Sequence, residues 1–524
     1  MRHVSLTRFF FPTRGWPLVG LCWLVNWTAR AQAPSWQTAV ASAAHFCTVK
    51  ATALGPGGDV YLVGAFAGTA RFGPIRLAST ATGQGLDAFV AKWSPASQQF
   101  VWAKRLGGTA SDEALAVAVH GAAVYVTGYF GSLKLRAGPL TLTNADTVAS
   151  EHRIDKETTD VFVAKLTDAG PTAAFTWAQR AGGLKNDTGQ GVAVNGAQVY
   201  LTGVCRSAGS QFGSLLLPAL REGTPEDARP VTQQFVAKLT DAGPSGRFAW
   251  VVPTGGGREA GGAGALAVQG PAVYVVGNPA RDEESDGWDD AAPPTEGPYV
   301  TKLADAGPSA RPVWTQRLTP GSAVSAVAVR GANVYLAGWF WADTLRLGPA
   351  VLRNTARGRA EGANPNSFVA KLVDAGDRAA YAWAQPAGGN GSCRVSNLAV
   401  AGARLYVTGT VWGAARFGPV ALAAAPAAPL RLYVARLSDR GTTGHYDWVS
   451  AVGPPRTYVP PREQPRNFHQ MTTPSEVNAV AARGARVYIA GGFNGPLQFG
   501  PRVLTFANRV NLAAFLASFT DTGR

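Results

Sequence analysis

Val199-Tyr200-Leu201-Thr202-Gly203 decides the fold, because close variants of this pentapeptide occur seven times along the chain. The copies are VYLVG at residues 60–64, VYVTG at 124–128, VYLTG at 199–203, VYVVG at 273–277, VYLAG at 334–338, LYVTG at 405–409 and VYIAG at 487–491. Their mean spacing is about 71 residues. An internal repeat of this kind is typical of solenoids and propellers, and seven copies predict a closed ring of seven sheets.

Two further motifs recur with the pentapeptide and complete the repeat unit. The first resembles Phe-Val-Ala-Lys-Leu and occurs at residues 89–93, 162–166, 235–239, 299–303, 368–372, 433–437 and 515–519. The second is a tryptophan, found at Trp36, Trp102, Trp177, Trp250, Trp314, Trp383 and Trp448. An Ala-Val run and a tight turn such as Asn195-Gly196 precede the pentapeptide. Short β-branched and aromatic runs bounded by turn residues predict strands, so each unit forms a four-stranded antiparallel blade.

An Asp-Ala-Gly turn joins the third strand to the tryptophan strand in several units. It begins at Asp168, Asp241, Asp305 and Asp374. An aspartate in such a turn accepts bonds from backbone N–H groups, and the glycine adopts a positive φ. Because these aspartates occupy matching positions, we interpret them as structural residues rather than catalytic acids.

The two ends of the chain predict how the ring closes. A lone tryptophan strand around Trp36 comes first, and the last strand, at residues 515–519, has no tryptophan strand after it. Pairing these two strands would complete the seventh blade and remove two exposed sheet edges. We therefore predict an all-β, seven-bladed β-propeller over residues 34–524, closed by the Trp36 strand.

The first 33 residues have the pattern of a secretory signal peptide. Arg2, Arg8 and Arg14 precede an apolar run at residues 16–25, and Ala31-Gln32-Ala33 offers a cleavage site. Cleavage near Ala33 would remove four arginines and no acid, leaving 44 basic and 33 acidic residues, a net charge of +11. We expect a protein that is secreted or held at the cell surface or in the periplasm, with no membrane span. The basic residues are dispersed, which argues against nucleic acid as a partner.

The repeat units resemble the bacterial SBBP-type β-propeller repeats. Leu86-Asp-Ala-Phe-Val-Ala-Lys92 and Arg105-Leu-Gly-Gly108 match that pattern, and the resemblance covers nearly all of residues 34–524. It implies a propeller fold and an exported protein. It implies no particular activity, because members of the family mostly have none defined.

Any function should lie in residues that do not recur. The connections between the second and third strands are long and emerge on the same side as those between units, where binding residues commonly lie. Trp339, Trp341 and Trp412 fall there and are candidates for stacking on sugar rings, with packing over their own sheets as the alternative.

A second departure from the repeat is an acidic segment at residues 281–298. Asp282, Glu284 and Asp286 are candidate calcium ligands there, because hard cations bind clustered oxygen atoms. A solvated run of charges is the alternative, since the segment lacks the regular spacing of a calcium loop.

The sequence contains no nucleophile elbow, phosphate-binding loop or metal-spaced histidine pair. We therefore predict a monomeric, non-catalytic binding or scaffold module without a cofactor. The sequence does not identify its ligand, and the partners considered are a polysaccharide and a protein at the cell surface. One alternative is an extracellular carbohydrate-active hydrolase or lyase that uses carboxylates on the long-loop side. The other is a structural cell-surface protein.

Overall fold

The computed structural model describes residues 35–523 apart from 43–45, 148–157, 208, 220, 223–228, 231, 258–259, 262–263, 280–295, 357–363, 426–429, 456–474 and 507–511. In these residues the protein is all-β, with seven antiparallel blades around a common axis. The predicted β-propeller is therefore confirmed. Among the described residues, no helix is long and apolar enough to pass through a membrane.

Each blade contains four strands, numbered here from the axis outward. The first strands are Phe46–Leu54, Asp112–His120, Asp187–Asn195, Leu266–Gln269, Ser322–Arg330, Cys393–Ala401 and Glu476–Arg483. The second strands are Val60–Ala67, Ala123–Phe130, Gln198–Cys205, Ala272–Pro279, Asn333–Phe340, Arg404–Trp412 and Arg486–Phe493. The third strands are Asp87–Ser94, Asp160–Asp168, Thr232–Asp241, Tyr299–Asp305, Asn366–Asp374, Leu430–Asp439 and Ala513–Thr520. The fourth strands are Gln99–Gly107, Ala173–Gly182, Gly246–Gly257, Ala310–Arg317, Ala379–Gly389, Gly444–Val452 and, in blade 7, Ser35–Ala41.

The seventh blade is built from both ends of the described chain. Its outer strand, Ser35–Ala41, runs antiparallel to Ala513–Thr520, and Trp36 lies opposite Phe519. Around the axis, the first strand of every blade contacts the first strand of the next, including Glu476–Arg483 with Phe46–Leu54. The innermost strands thus form an unbroken ring.

A β-bulge interrupts the first strand at the same position in six blades. The residues left out of register are Lys50, Leu115, Gln190, Ser325, Ser396 and Asn478. Bulges free backbone carbonyl groups from the ladder, and side chains of adjacent blades bind them. Asn478 Nδ2 donates to the Val49 carbonyl at 3.1 Å, and Ser325 Oγ donates to the Val395 carbonyl at 2.9 Å. These bonds connect neighbouring blades beside the axis.

The long connection between the second and third strands is itself partly β-structure, which the sequence analysis did not predict. It forms a small hairpin in six blades: Thr69–Phe72 with Ile75–Ala78, Lys134–Ala137 with Leu140–Thr143, Ser210–Phe212 with Leu215–Leu217, Thr344–Leu347 with Ala350–Arg353, Ala415–Phe417 with Val420–Leu422, and Leu497–Phe499 with Arg502–Leu504. Two-residue strands also occur at Arg221–Glu222, Arg229–Pro230 and Ala260–Gly261.

Three of these hairpins, in blades 2, 3 and 6, pair with the preceding blade. Ala137 pairs with Leu106, Phe212 with Ala181, and Phe417 with Ala387, in each case on the fourth strand of the blade before. These three hairpins therefore extend the sheet of their neighbour while the chain remains attached to its own blade.

In blades 2 to 7, a buried carboxylate joins the blade to the one before it. Asp241, in the Asp-Ala-Gly turn of blade 3, accepts from three side chains of blade 2. The Tyr125 hydroxyl lies 2.5 Å and Lys165 Nζ 2.6 Å from Asp241 Oδ2, while Trp177 Nε1 donates to Oδ1 at 3.0 Å. The Gly243 N–H of the same turn also donates to Oδ1. We call this arrangement the carboxylate clamp.

The clamp occurs at six of the seven blade boundaries. Its acceptors are Asp168, Asp241, Asp305, Asp374, Asp439 and Asp521. Arg436 replaces the lysine at Asp521. The boundary between blades 7 and 1 differs, because Pro95 stands at the aspartate position and Ser518 at the lysine position. There Thr38 Oγ1 donates to Gln98 Oε1 at 2.6 Å instead.

Each clamp aspartate is ionised more readily than an ordinary aspartate. Burial alone would raise its pKa, but the hydrogen bonds from the lysine or arginine, the tyrosine and, at most of the sites, the tryptophan outweigh burial. The net effect is a lowered pKa at all six positions: Asp168, Asp241, Asp305, Asp374, Asp439 and Asp521. The recurring aspartates are structural, as the sequence analysis predicted, although their partners lie in the neighbouring blade.

Replacing a clamp aspartate should destabilise the fold strongly. Asp374→Ala leaves Lys302, whose side chain is only 13% exposed, without its carboxylate partner at 2.7 Å. Loss of one member of a buried ion pair costs about 3–5 kcal/mol. Asp377→Ala is the matched control, because Asp377 lies three residues further along the chain and is exposed. We expect denaturant unfolding to show a large decrease in the free energy of unfolding for Asp374→Ala and almost no decrease for Asp377→Ala. Equal effects would contradict a stabilising role of the clamp.

The clamp also predicts how stability depends on pH. The folded-state pKa of the six aspartates lies below the unfolded value of about 3.9. Their contribution is therefore complete above the unfolded pKa and is lost as the pH falls through the folded pKa. We expect the free energy of unfolding to decrease steeply below about pH 4, and less steeply in Asp374→Asn. Denaturation measured between pH 3 and pH 6 tests this, and a flat profile for the parent protein would contradict it.

Candidate functional site

The irregular connections of the propeller meet on one side of the ring, which we call the long-loop face. On this face, the connection from the second to the third strand of a blade begins beside the segment that leads into the first strand of the same blade. Backbone bonds join them: Trp341 N–H donates to Gly321 O at 2.9 Å, and Trp412 N–H donates to Ser392 O at 2.7 Å. Residues at the end of a second strand therefore lie close to the start of the first strand of that blade.

Trp339 and Trp341 form a pair at the long-loop edge of blade 5. Side chains alternate along a strand, so both lie on the same side as Tyr335, whose hydroxyl bonds to Asp439 of blade 6. Their ring centres are 5.1 Å apart, with planes inclined by 39°. Both rings are half-buried. The structure thus brings these two predicted residues together at the boundary with blade 6.

Arg394, at the start of blade 6, extends this pair across the boundary. Its Cζ lies 4.8 Å from the centre of the Trp339 ring. A guanidinium over an indole face is held by the ring quadrupole. The Arg394 side chain is itself exposed. Sequence reasoning missed this residue, because an isolated arginine carries no motif.

Trp412 lies at the same edge of blade 6, at the end of its second strand. It is 51% exposed and is the one tryptophan among the large exposed apolar side chains of the described residues. Arg394 pairs with Thr410, and Trp412 follows two residues later on the same side of the strand. Gly391 allows the close approach, because a Cβ there would lie 2.2 Å from the Trp412 carbonyl oxygen.

Arg431, on the third strand of blade 6, is a second cation at this edge. It pairs with Val411 in the ladder, and one of its terminal nitrogens donates to the carbonyls of Gly413 and Ala423 at 2.9 and 2.7 Å. Its Nε is buried and has no hydrogen-bond partner. Burial lowers the pKa of the Arg431 guanidinium.

Paired carboxyl groups also occur on the long-loop face, at the boundary of blades 2 and 3. Asp160 accepts from Arg180 at 2.9 Å, and Asp187 accepts from Gly183 N–H and Ser207 Oγ, each at 2.7 Å. Burial raises the pKa of Asp187 to about 6. Both aspartates are 0% exposed, so they hold the connections between blades and do not face solvent.

The same arrangement occurs at the boundary of blades 1 and 2. Asp87 bonds to Arg105 at 2.9 Å, and Asp112 accepts from Gly108 N–H and Ser132 Oγ, each at 2.7 Å. Burial raises the pKa of Asp112 to about 7. A raised pKa suits a general acid, but these carboxyls are also 0% exposed.

The predicted calcium ligands Asp282, Glu284 and Asp286 lie outside the described residues, so the calcium site stays a prediction. Within the described part of the chain, no group of three or more His, Cys, Asp or Glu side chains is placed to hold a metal ion. Cys47, Cys205 and Cys393 are buried free thiols.

Comparison with known proteins gives similarity to solved structures alone. No protein-family model matches the chain, and no curated protein matches it. An acylaminoacyl peptidase from Pyrococcus horikoshii is similar at 10% identity and a TM-score of 0.39, over 88% of this chain and 52% of the peptidase. A prolyl endopeptidase is similar at 10% identity and a TM-score of 0.34, over 85% and 47% of the two chains. TolB from Acinetobacter baumannii is similar at 8% identity and a TM-score of 0.27, over 83% of this chain and 77% of TolB.

The chain spans about half the length of the two peptidases. Similarity at these identities and TM-scores carries no argument about activity. The resemblance to SBBP-type repeats stays a prediction.

The buried acid pairs explain why glycine occurs after the tryptophan, as at Gly182-Gly183. Gly182 has φ 138°, and a Cβ there would lie 2.3 Å from Asp160 Oδ1 and 2.7 Å from Asp187 Oδ2. Gly182→Ala should therefore lower the free energy of unfolding by about 1–3 kcal/mol through crowding. Gly57→Ala is the control, since a Cβ at Gly57 meets nothing within 4 Å. Denaturant titration of both variants tests this, and equal stability would contradict the packing role.

Proposed function

We propose that this protein is an exported, non-catalytic binding module that holds a polysaccharide on its long-loop face. The observation that carries the proposal is the exposed Trp412 on the same side of blade 6 as Arg394, whose guanidinium lies over the Trp339 ring of the Trp339–Trp341 pair. Tryptophan and arginine are the side chains most enriched among residues that dominate binding energy. An indole that is 51% exposed still has apolar surface to bury against a ligand.

The position of these residues supports a binding role rather than a packing role. In the repeat, the place of Trp341 and Trp412 is taken by Ala67 in blade 1, Gly131 in blade 2 and Arg206 in blade 3. The blade therefore folds without an aromatic side chain at this position. Residues that the scaffold does not require are the ones available for recognition.

A polysaccharide fits this surface better than a protein partner does. The other large apolar side chains that are exposed in the described residues are Leu184, Leu216, Val351, Val373 and Val503. They belong to different strands and connections and form no continuous patch with Trp412. Protein interfaces typically have a contiguous apolar core, whereas sugar rings stack on individual aromatic faces.

A hydrolytic role is supported less well by the residues present. Carboxylate-based glycoside hydrolysis uses two acids on either side of the scissile bond. The acid pairs described above are buried, and the acid nearest in the chain to the tryptophan pair is a single residue, Asp343. The pattern of residues 1–33 supports export, which would place the protein where polysaccharides occur.

Removing the Trp412 ring should weaken polysaccharide binding. Loss of a residue that dominates binding costs 2 kcal/mol or more, which is about thirtyfold in affinity. Leu216→Ala is the matched control, because Leu216 is 58% exposed on blade 3. A glycan-binding screen on the full chain, followed by calorimetry on Trp412→Ala and the control, tests this.

Three outcomes would contradict the proposal. The chain would bind no glycan in the screen, or Trp412→Ala would bind as tightly as the parent protein. Alternatively, analysis of the incubated glycan would find cleavage products, and the module would then be catalytic.

A further inference from the structure

The long-loop edge of blade 6 concentrates positive charge around Trp412. Arg394 lies at the start of the first strand, Arg416 in the hairpin after the second strand, and Arg431 at the start of the third strand. The first and third strands run antiparallel to the second, so Arg394 and Arg431 lie at the same edge as Trp412. Arg416 pairs with Gly388 on the fourth strand of blade 5. Arg394 and Arg416 are exposed.

No acidic residue accompanies these arginines in their own stretch of chain. Between Asp377 and Asp439 the sequence contains no Asp or Glu. At the opposite edge of the blade, Arg436 bonds to Asp521 and Asp447, so cations there have carboxylate partners. The exposed Asp343, on blade 5, is the described acid closest in sequence to the aromatic pair. The charge at the Trp412 edge is thus predominantly positive.

Arg431 marks a reversal of charge within the repeat. Counting back two residues from the aromatic residue of the third strand gives Asp87 in blade 1 and Asp160 in blade 2, but Arg431 in blade 6. Asp87 and Asp160 each bond to an arginine of their own blade. Arg431 bonds to two backbone carbonyls, and its buried Nε has no partner.

This environment is unfavourable for a cation in the free protein. A guanidinium that is removed from water needs an opposite charge to offset the loss of hydration. Backbone carbonyls supply partial charges only. An anionic group from outside the chain would supply the missing charge at an edge that already presents an aromatic ring.

We propose that the ligand of this site is an acidic polysaccharide, whose sugar rings carry carboxylate or sulfate groups. This inference rests on the proposed function and adds the chemical class of the ligand. A sugar ring stacks on Trp412, and its anionic groups bind the guanidinium groups of Arg394 and its neighbours. Planar guanidinium forks match carboxylate and sulfate oxygens in pairs. The net charge of the chain, +15, attracts such a polymer over longer distances.

The experiment measures binding of the full chain to four polymers at low ionic strength. They are polygalacturonate, dextran sulfate, uncharged dextran and poly-glutamate, so that the carboxylate, the sulfate, the sugar and the charge are tested separately. We expect one or both acidic polysaccharides to bind at least about tenfold more tightly than dextran and than poly-glutamate, which is the effect of one charge-assisted bond. Preference for the first or the second identifies the anionic group.

Variants locate the charge that is recognised. Arg394→Gln should weaken binding of the acidic polysaccharide about tenfold or more, and should weaken it by a larger factor than it weakens binding of dextran. Arg206→Gln is the matched control, because Arg206 is exposed on the long-loop face of blade 3. This variant should change neither the affinity for the acidic polysaccharide nor the affinity for dextran. Raising the salt concentration should reduce the difference between the parent protein and Arg394→Gln, since added ions screen exposed charges.

The results separate this inference from the proposed function. Equal affinity for dextran and the acidic polysaccharides, with no effect of Arg394→Gln, would overturn the acidic ligand and leave the polysaccharide module in place. Binding of no polysaccharide would overturn both. Binding of poly-glutamate as tight as that of the acidic polysaccharides, unaffected by Trp412→Ala, would show attraction to charge alone and would also overturn the inference.

Discussion

The fold depends on a carboxylate that belongs to one blade and is satisfied by the blade before it. At Asp241 the donors are a phenol, an ammonium group and an indole N–H, all from blade 2. A buried carboxylate without donors would be strongly unfavourable, and a buried lysine without an acid would be equally so. Each blade therefore completes its polar bonding only when its neighbour is in place. Because of this constraint, the contact between two blades includes directional polar bonds as well as apolar packing.

The proposed function, in contrast, uses positions that this constraint leaves free. The clamp lies at the edge of the blade where the third strand ends, whereas Trp339, Arg394 and Trp412 lie at the opposite edge. Blades 1 and 2 carry buried acids at the long-loop edge, and blade 6 carries Arg431 at the matching position. The same scaffold thus supports opposite charges in different sectors of one face. Such a surface is suited to a ligand that contacts only part of the ring.

The strand order and the number of blades could be predicted because they follow from local patterns that recur, such as the pentapeptide and the tryptophan. The role of the turn aspartates as structural residues also followed from their repetition. Their partners did not, because Tyr125 and Asp241 are 116 residues apart and meet only through the ring. The hairpins after the second strands were missed because their strands have three or four residues. Arg394 was missed because its contact with Trp339 crosses a blade boundary, although the acid-free stretch after Asp377 is visible in the sequence.

The carboxylate clamp has a consequence for how such a ring can grow. Each repeat presents its donors on one side and its acceptor on the other, which is the head-to-tail contact of a cyclic oligomer within a single polypeptide. A repeat duplicated in tandem would arrive with both halves of that contact and would fit between its neighbours without further change. The rotation per repeat then sets the number at which the circle closes. The boundary between blades 7 and 1, where the clamp is missing, is the position at which this head-to-tail series begins and ends.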